Sequence, residues 1–407
     1  MAESLQAALA IPYRQFFYRM RTFEEELESI RAASLLRSLR TVETPQQPRS
    51  RVDGLDLLNF SSNDYLGLAA SAPVMEALHE GIRRWGAGSG ASRLVCGTQG
   101  PHTGLEEALA AFKKTEAALT FSSGYAAALG TLTALLDKED TVIVDKLCHA
   151  SLIDGARLSG ALLRAFPHNN TERLKALLQS VRAKAPAKSR ILVITESVFS
   201  MDGDRAPLRE VATLAKDYGA LLMVDEAHAL GVLGPGGRGL AAELGVAPDI
   251  HMGTLSKAAG LHGGFIAGSQ ALIDLLINRA RSFIYSTAPP PCIAAAAEYV
   301  VREILTGTEG EARRATLQQR IADFAAELGG ITPQSAIVPV ILGSEKAALA
   351  AGAELMSAGF LVPAIRYPTV ARGAARLRIT FSASHRGEDV RALAKAVHAL
   401  AAARENQ

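Results

Sequence analysis

Short runs of β-branched and apolar residues alternate with helical segments through the middle of this chain. This alternation limits the possible folds more strongly than any other feature of the sequence. The runs expected to form strands are Ala117–Phe121, Thr141–Asp145, Ile191–Thr195, Leu221–Asp225, Ile250–Gly253 and Gly264–Ala267. A helix between two strands returns the chain across one face of a sheet, so the strands it joins pair in parallel. The sequence therefore predicts an α/β fold, with a mainly parallel central sheet covered on both faces.

One crossover helix can be delimited from its two ends. Pro207 stands just before the segment Leu208–Tyr218, and Gly219 stands just after it. Proline is favoured at helix starts and glycine at helix ends. Within the segment, apolar residues recur every three or four positions and share one face. The segment is therefore predicted to be the helix of a strand–helix–strand unit.

An arm and a linker are predicted to precede this α/β region. The segment Tyr13–Leu39 mixes phenylalanine and leucine with glutamate and arginine at roughly helical spacing. Pro45 and Pro48 then end the pattern, because proline cannot continue a helix. We therefore predict that residues 1–56 form an N-terminal helical arm and linker, and that residues 57–290 form the large α/β domain.

Three consecutive prolines, Pro289–Pro291, mark the end of the large domain, because proline fits neither a helix interior nor a central strand. Beyond them the pattern changes, and residues 291–407 are predicted to form a smaller α+β domain. Its predicted helices are Ala294–Leu328, Glu345–Ala358 and Asp389–Ala403, and its predicted strands are Ala336–Leu342, Leu361–Ile365 and Ala375–Phe381.

Charge and cysteine content exclude several classes of function. Lysine and arginine number 43 against 41 aspartate and glutamate without runs of like charge, so no nucleic-acid or membrane partner is expected. Cys96, Cys148 and Cys292 are too scattered for a disulfide framework or a paired-cysteine metal site. No apolar stretch has the length of a membrane span or secretory signal. We predict a cytoplasmic protein that acts on small molecules without a metal.

The run Leu221–Asp225 brings a carboxylate to its carboxyl end, and His228 follows three residues later. In open α/β sheets, ligands bind at the carboxyl ends of the strands. A carboxylate there is costly unless a cation compensates it, and a protonated pyridinium nitrogen is one such cation. Asp225 is our candidate for this role. The alternative is a helix cap or a surface acid.

The same four residues, Asp225–His228, also match the signature of a helicase-like ATPase. Such an ATPase needs a phosphate-binding loop of the form G-x-x-x-x-G-K-[ST], and the sequence contains none. The glycine-rich stretch Gly234–Gly239 lacks both the lysine and the following hydroxyl residue. The sequence therefore disfavours an ATPase.

Lys257 follows the predicted strand at Ile250–Gly253 and precedes a glycine-rich stretch. A lysine amine at the same sheet edge as Asp225 can form an imine with an aldehyde cofactor if its ammonium is brought close to neutrality. Thr254 could bond a phosphate nearby. The alternative, a solvated loop lysine, is the commoner situation for a lysine taken alone.

A phosphate site is predicted where the strand Ala117–Phe121 leads into a helix at Ala126–Leu136. The free backbone N–H groups at a helix start bind phosphate, and Gly124 permits close approach of the ligand. The alternative is a plain serine cap. His149 follows another strand and is a candidate for stacking or proton transfer, although a lone histidine is more often structural.

Arg376 and Arg378 lie on one face of the predicted strand Ala375–Phe381 in the small domain. An arginine fork on this face is able to clamp a substrate carboxylate. The alternative is a solvated strand face.

Taken together, these segments resemble the α-oxoamine synthases, pyridoxal-phosphate enzymes of the fold-type-I aminotransferase class. These enzymes condense an amino acid with an acyl thioester. The resemblance covers nearly the whole chain, and its many ordered motifs make it specific. The motifs are Asn59–Gly67, Gly88–Gly90, Asp145–Ser151, Glu196–Asp204, Asp225–His228, Thr254–Lys257 and Ile284–Thr287.

The resemblance implies pyridoxal 5'-phosphate as cofactor and assigns a role to each matching residue. Lys257 would hold the cofactor aldehyde as an imine, and Asp225 would pair with the pyridinium nitrogen. His149 would stack on the ring, and His228 would bond its phenolic oxygen. Lys257 and His149 would also carry protons. The other residues implied to surround the cofactor are Gly124, Tyr125, Ser200 and Thr254.

The resemblance also implies substrate contacts and a partner subunit. Asn63 and Arg378 match positions that hold the amino-acid carboxylate, and Arg37 and Thr369 match positions that touch substrate. Thr287 matches a position that reaches the phosphate bound by a neighbouring subunit. A homodimer with shared active sites is therefore implied.

Within the family, different segments are similar to members with different substrates. Phe60–Leu68, Ile365–Val370 and Arg376–Arg378 are most similar to members that join L-alanine to a pimeloyl thioester, with coenzyme A or an acyl carrier protein as the thiol. Val95–Gln99 and Tyr367 are more similar to members that use glycine. The resemblance implies the alanine reaction first and a glycine reaction as the alternative. A noncatalytic or aminotransferase-type member of the fold also stays open.

Overall fold

The computed structural model describes residues 21–186 and 188–405. Two compact units are distinguished, Met1–Leu39 and Arg40–Gln407. In the first unit, helix α1 covers only part of the predicted arm, and residues 13–20 lie outside the described residues. A capping box fixes the start of this helix, because the Thr22 side chain accepts from the Glu25 N–H while the Glu25 carboxylate accepts from the Thr22 N–H.

Helices and strands alternate along most of the described chain. The α-helices are α1 (Phe23–Ala32), α2 (Ala72–Trp85), α3 (Arg93–Cys96), α4 (Gly100–Lys113), α5 (Gly124–Leu135), α6 (Ala150–Ser159), α7 (Thr171–Arg182), α8 (Leu208–Asp217), α9 (Leu240–Leu244), α10 (Gln270–Arg279), α11 (Arg281–Ile284), α12 (Pro291–Tyr299), α13 (Thr308–Leu328), α14 (Glu345–Ser357) and α15 (Gly387–Glu405). The strands are β1 (Arg49–Val52), β2 (Leu55–Asn59), β3 (Ala117–Phe121), β4 (Thr141–Asp145), β5 (Leu162–Phe166), β6 (Ile191–Glu196), β7 (Leu221–Asp225), β8 (Ile250–Thr254), β9 (Gly264–Gly268), β10 (Ile337–Gly343), β11 (Phe360–Leu361), β12 (Ala364–Ile365) and β13 (Ala375–Thr380). In residues 21–186 and 188–405, no helix is both long and apolar enough to span a membrane.

The predicted α/β fold with a mainly parallel sheet is confirmed. The central sheet has seven strands in the order β3-β9-β8-β7-β6-β4-β5. β9 pairs antiparallel with both of its neighbours, and the other adjacent pairs are parallel. All six predicted strands of this region are present, and β5 is a strand that the sequence analysis did not predict. The carboxyl ends of β4, β6, β7 and β8 therefore lie side by side at one edge of the sheet.

Both faces of this sheet are buried, which explains why its strands are continuously apolar rather than alternating. Successive side chains of a strand point to opposite faces. Ile143, Val193 and Val224 accordingly join one hydrophobic cluster, whereas their neighbours Leu192 and Met223 join a second cluster on the other face. Burial on both faces holds the strand ends, and the side chains that follow them, in fixed positions.

Two small sheets contain strands that the sequence analysis placed differently. β1 and β2 pair as an antiparallel hairpin, and β2 also pairs in parallel with β11. The linker predicted within residues 1–56 is therefore partly a strand, because its hydrogen-bonding partner lies far along the chain, at Phe360 and Leu361. In the other sheet, β13 lies between β10 and β12. The division into a large and a small domain at residue 290 stays a prediction.

The predicted long helix from Ala294 to Leu328 is wrong in one respect, because it is interrupted. α12 continues into a π-helical segment, Val300–Leu305, and α13 starts anew at Thr308. The backbone of Gly307 is extended (φ −90°, ψ 178°) and forms the N-cap of α13. A Cβ on Gly307 would lie 2.3 Å from the Glu303 carbonyl oxygen, so this break requires glycine.

Candidate active site

A pocket lies at the carboxyl ends of the parallel strands, where sequence analysis placed the ligand. Its cavity volume is about 180 Å³. The lining residues come from the β3–α5 turn, the start of α6 and the ends of β6, β7 and β8. They are Gly124, Tyr125, His149, Ser151, Glu196, Asp225, Ala227, His228, Met252, Thr254 and Lys257. Seven of the predicted site residues are thus brought together around one cavity.

Local sequence fixes the walls of this pocket. Ser123 caps α5 by accepting from the Ala126 N–H at 3.1 Å, which leaves the first-turn N–H groups of Gly124 and Tyr125 without intrahelical acceptors. His149 in turn is the N-cap of α6, with its Nδ1 2.8 Å from Ser151 Oγ. Two helix starts therefore face the same cavity, and both favour negative charge there.

The pKa of the Lys257 amine is lowered towards neutral pH. Burial lowers the pKa of its amine to about 8, while the carboxylates of Asp225 and Glu196 oppose the shift. Its Nζ lies 2.9 Å from Nε2 of His228. At neutral pH a useful fraction of this amine is therefore unprotonated, which is the form that attacks an aldehyde carbon.

Asp225 and Glu226 are adjacent in the chain, but Asp225 lines the cavity whereas Glu226 is part of a buried ion pair. Burial raises the pKa of Asp225, whose Oδ1 accepts only the Ala227 N–H at 2.9 Å among the described hydrogen bonds. Glu226 points away from the cavity and forms a fully buried ion pair with Lys113. Burial opposes its ionisation, but Lys113 and the hydrogen bonds from His251 and the Ala241 N–H together outweigh this and lower the pKa of Glu226 to about 2. The nearby Lys257 amine opposes the shift of the Asp225 pKa, but among the described residues Asp225 forms no direct ion pair, in contrast to Glu226.

His149 and Glu196 occupy the side of the pocket next to Asp225. Partial burial lowers the pKa of His149, the Asp225 carboxylate opposes this shift and the Lys257 charge adds to it. The backbone N–H of His149 donates to Glu196 Oε1 at 2.5 Å. Burial, followed by the charge of Asp225, raises the pKa of Glu196 well above its ordinary value. The imidazole is accordingly a neutral group beside two carboxyl groups.

A chain of hydrogen bonds leads from the small sheet to Lys257. Arg378 on β13 donates from Nη2 to Asn63 Oδ1 at 3.1 Å. The Tyr65 hydroxyl lies 3.2 Å from the same Asn63 oxygen and 2.5 Å from His228 Nδ1. His228 then contacts Lys257 through its other ring nitrogen. The two residues predicted to hold a carboxylate, Asn63 and Arg378, therefore contact each other and connect to the lysine.

The remaining predicted residues lie outside the lining of this cavity. The Ser200 carbonyl accepts from Arg378 Nε. Thr287 lines a separate small cleft with Ser122, and Thr369 lies in an exposed turn after β12. Arg37 belongs to the first unit. The roles predicted for these four residues stay predictions.

Thr254 does line the pocket, and its hydroxyl lies 2.8 Å from the Gly263 carbonyl oxygen. Arg376 is committed elsewhere, because its guanidinium donates to Asp202 Oδ1 at 2.6 Å and to the Met201 carbonyl. Of the two arginines on the β13 face, Arg378 is the one that contacts a predicted site residue.

The sequence analysis did not single out several residues of the site. Glu196, Ser151, Ala227 and Met252 line the cavity, and Tyr65 lies behind it against His228. Glu196 had a usable signal, since it is an acid at the end of an apolar strand, in the same position as Asp225 on β7. Tyr65 had none, because its partner lies 163 residues away in the chain.

The donors around the cavity fit pyridoxal phosphate. The free N–H groups at the start of α5 suit a phosphate, and Gly124 at this helix start lies beside Thr254 in the cavity lining. Asp225 is a buried carboxyl group with no direct ion pair among the described residues, which suits a pyridinium nitrogen. Lys257 supplies an amine with a lowered pKa. One cavity thus contains a partner for each of the three reactive parts of this cofactor.

Known proteins of similar sequence and structure agree with this chemistry. An 8-amino-7-oxononanoate synthase of Methylococcus capsulatus is 48% identical over 377 residues, which is 91% of this chain and 96% of that protein. A solved structure of serine palmitoyltransferase with a pyridoxal-phosphate internal aldimine has a TM-score of 0.87 and 30% identity, covering 94% of this chain and 99% of the other. The structure of an 8-amino-7-oxononanoate synthase from Francisella tularensis has a TM-score of 0.71 and 29% identity, covering 86% and 98%.

The family model described as aminotransferase class I and II matches residues 56–397 of this chain. The match includes the central sheet and every residue that lines the cavity. The predicted fold type and the predicted pyridoxal-phosphate cofactor are therefore confirmed. The chain belongs to the class I and II aminotransferase family, as a pyridoxal-phosphate-dependent transferase of fold type I that resembles its α-oxoamine synthases.

Proposed function

We propose that this enzyme condenses L-alanine with a pimeloyl thioester, releasing carbon dioxide and the thiol, to form 8-amino-7-oxononanoate for biotin synthesis. The main support is the 48% identity to a synthase of that name over 91% of the chain. The observation that gives this identity chemical meaning is the convergence of Lys257, Asp225, His149 and His228 on one cavity. The acyl carrier is coenzyme A or an acyl carrier protein.

Three cavity residues have proposed roles in this reaction. When bound, pyridoxal phosphate would supply an electron sink for the negative charge that develops at the substrate α-carbon. Asp225 would keep the pyridinium nitrogen protonated, and His149 would pack against the ring. Lys257 would hold the cofactor aldehyde, and its amine, once free, would remove the α-proton of the amino acid as a general base. The chemistry therefore needs Lys257 with a pKa near neutrality.

Asn63 and Arg378 are proposed to orient the amino acid. The Arg378 guanidinium is buried and already donates to Asn63, so a carboxylate that enters here meets a desolvated fork donor. Decarboxylation would release this carboxylate as carbon dioxide, and Lys257 or His149 would supply the proton that replaces it. Arg37 and Thr369 are proposed substrate contacts on the resemblance alone.

A matrix of substrates tests this assignment. Thiol release is measured with alanine, glycine and serine, each combined with pimeloyl, acetyl and succinyl thioesters of coenzyme A and with a pimeloyl carrier protein. We expect alanine with a pimeloyl thioester to react fastest. A pocket distinguishes one methyl group by about 1–3 kcal/mol, whereas each additional buried methylene of the acyl chain contributes about 0.8 kcal/mol. Discrimination by acyl length is therefore expected to exceed discrimination by amino acid.

The glycine alternative rests on the Val95–Gln99 resemblance. This segment begins within the short helix α3 and contributes no residue to the cavity lining within one chain. If glycine with acetyl-coenzyme A reacts fastest, the assignment to biotin synthesis is wrong and the resemblance of this segment is the better guide.

The enzyme is further proposed to act as a homodimer with shared active sites. Leu94, Val95 and Tyr285 expose 56%, 79% and 72% of their surface. Their segments lie together, because the Ala288 N–H donates to the Ala91 carbonyl at 3.1 Å. Thr287, the residue implied to reach a partner's phosphate, belongs to the same surface. Large apolar side chains clustered on one surface are typical of a protein–protein contact.

Sedimentation of the purified enzyme tests the dimer. We expect a mass of twice the chain mass of 42.9 kDa. Val95→Glu is expected to weaken the dimer, because it places a charge in an apolar contact. Ile341→Glu, at a 63% exposed position on β10, is the matched control and is expected to sediment like the wild type. A wild-type monomer would contradict the shared site.

A cytoplasmic location is also proposed, supported by the three unpaired cysteines.

A further inference from the structure

Tyr65 is a buried group next to the cavity that the proposed reaction does not use. Its side chain is fully buried, and its hydroxyl lies 2.5 Å from His228 Nδ1. The other ring nitrogen of His228 lies 2.9 Å from Lys257 Nζ. One imidazole therefore stands between a tyrosine hydroxyl and the reactive amine.

The Tyr65 hydroxyl has one proton and two neighbouring acceptors. Asn63 Oδ1 is 3.2 Å away, longer than an ordinary O–H···O bond, and it already accepts from Arg378 Nη2 at 3.1 Å. His228 Nδ1 is at 2.5 Å. The shorter distance favours donation of the tyrosine proton to Nδ1.

The charge state of His228 then decides where its own proton lies. Burial, followed by the charges of Lys257, Arg378 and His149, lowers the pKa of His228 well below its ordinary value, so the ring is neutral at pH 7. A neutral imidazole has one N–H and one lone pair. If Nδ1 accepts from Tyr65, the proton must be on Nε2, the nitrogen that faces Lys257.

We propose that Tyr65 is a positioning residue that holds His228 in the tautomer protonated at Nε2, so that this ring presents an N–H to Lys257. An Nε2–H cannot accept a hydrogen bond from an ammonium group, but it can donate to the lone pair of a neutral amine. The tautomer therefore favours the neutral, nucleophilic form of Lys257. On the proposed function, the same N–H would donate to the phenolic oxygen of the cofactor, and that part of the inference rests on it.

The tautomer is measured in the cofactor-free protein by ¹⁵N NMR of its histidine side chains. The titratable and charged groups that face His228 are Tyr65, Lys257, Arg378 and His149, so the spectrum is recorded across pH 6 to 9. We expect the His228 signals of a neutral ring with a protonated Nε2 and an unprotonated Nδ1. A His228 protonated at Nδ1 in the wild type would overturn the proposal without any variant.

Tyr65→Phe removes the hydroxyl and keeps the ring. We expect His228 to lose its single tautomer, because Nε2 is then able to accept from the Lys257 ammonium. Visible absorbance follows the rate at which Lys257 takes up added pyridoxal phosphate at each pH. The pH midpoint of this rate should shift upward by about one unit, a change that corresponds to the free energy of about one hydrogen bond. Tyr299→Phe, which removes the hydroxyl of a half-buried tyrosine on α12, is the control and should leave both readouts unchanged.

The two outcomes separate this inference from the proposed function. An unchanged tautomer and an unchanged midpoint in Tyr65→Phe would overturn the role of Tyr65, even if the enzyme makes 8-amino-7-oxononanoate. A different preferred substrate pair would contradict the proposed function and leave the tautomer measurement valid. If Tyr65→Phe does not fold, the wild-type spectrum still decides the proposal.

Discussion

Lys257→Ala is expected to abolish turnover and to leave the purified protein without the visible absorbance of covalently held pyridoxal phosphate. The variant loses both the covalent attachment and the general base, so we expect turnover to fall by roughly 10⁴-fold or more. The change also removes a buried amine whose pKa is lowered by burial. Steady-state thiol release and absorbance spectra measure the two effects.

Lys146→Ala is the matched control for this variant. Lys146 follows β4 near the same edge of the sheet, and its side chain is exposed. We expect Lys146→Ala to retain colour and turnover, because this exposed side chain does not line the cavity. Substantial turnover in Lys257→Ala would mean that another group removes the α-proton.

Asp225→Ala is the second substitution with a large expected effect. Without the carboxylate, nothing in the described pocket keeps the pyridinium nitrogen protonated, and the electron sink is weakened. Loss of one preorganised electrostatic contact typically costs about 10²–10³ in turnover. Exchange of the alanine α-proton with deuterated solvent measures this step directly, and Asp225→Glu is expected to retain more exchange than Asp225→Ala. Exchange at the wild-type rate in Asp225→Ala would exclude the assigned role.

Glu226, the residue next to Asp225, supplies a control variant whose expected effect is on the free energy of unfolding. Glu226→Gln leaves Lys113 as a buried, unpaired cation, and breaking such a pair costs about 3–5 kcal/mol of unfolding free energy. Asp225→Ala removes a buried carboxyl group that forms no direct ion pair with a described residue, and whose desolvation outweighs the attraction of the Lys257 charge. We therefore expect chemical denaturation of the cofactor-free protein to detect Glu226→Gln and to leave Asp225→Ala close to the wild type.

The strand ends are the part of the site that the sequence predicts well. Residues 221–224 of β7 are continuously apolar, so Asp225, the last residue of the strand, must lie at the sheet edge, and period-two alternation then turns Glu226 away from Asp225. The same logic places His149 and Lys257. It also applies to Glu196, which the sequence analysis passed over because the acid is embedded in a motif of other polar residues.

Contacts between distant segments are the part that the sequence does not predict. β1 and β2 are short and contain charged residues, and the partner that makes them part of a sheet, β11, comes much later in the chain. Tyr65 resembles an ordinary core aromatic until the fold places its hydroxyl on His228. The break at Gly307 did have a signal, because residues 306–311 contain two glycines and no large apolar residue, but we predicted one helix across it.

The most direct test of the whole interpretation is to locate the cofactor on the chain. The enzyme is loaded with pyridoxal phosphate, reduced with borohydride to make the attachment permanent, digested and mapped by mass spectrometry. The arrangement of Lys257 beside Asp225, His149 and His228 predicts that the label is found on the peptide containing Lys257 and that Lys146 stays unlabelled. Stoichiometric label on any other lysine would contradict the assignment of this pocket as the active site.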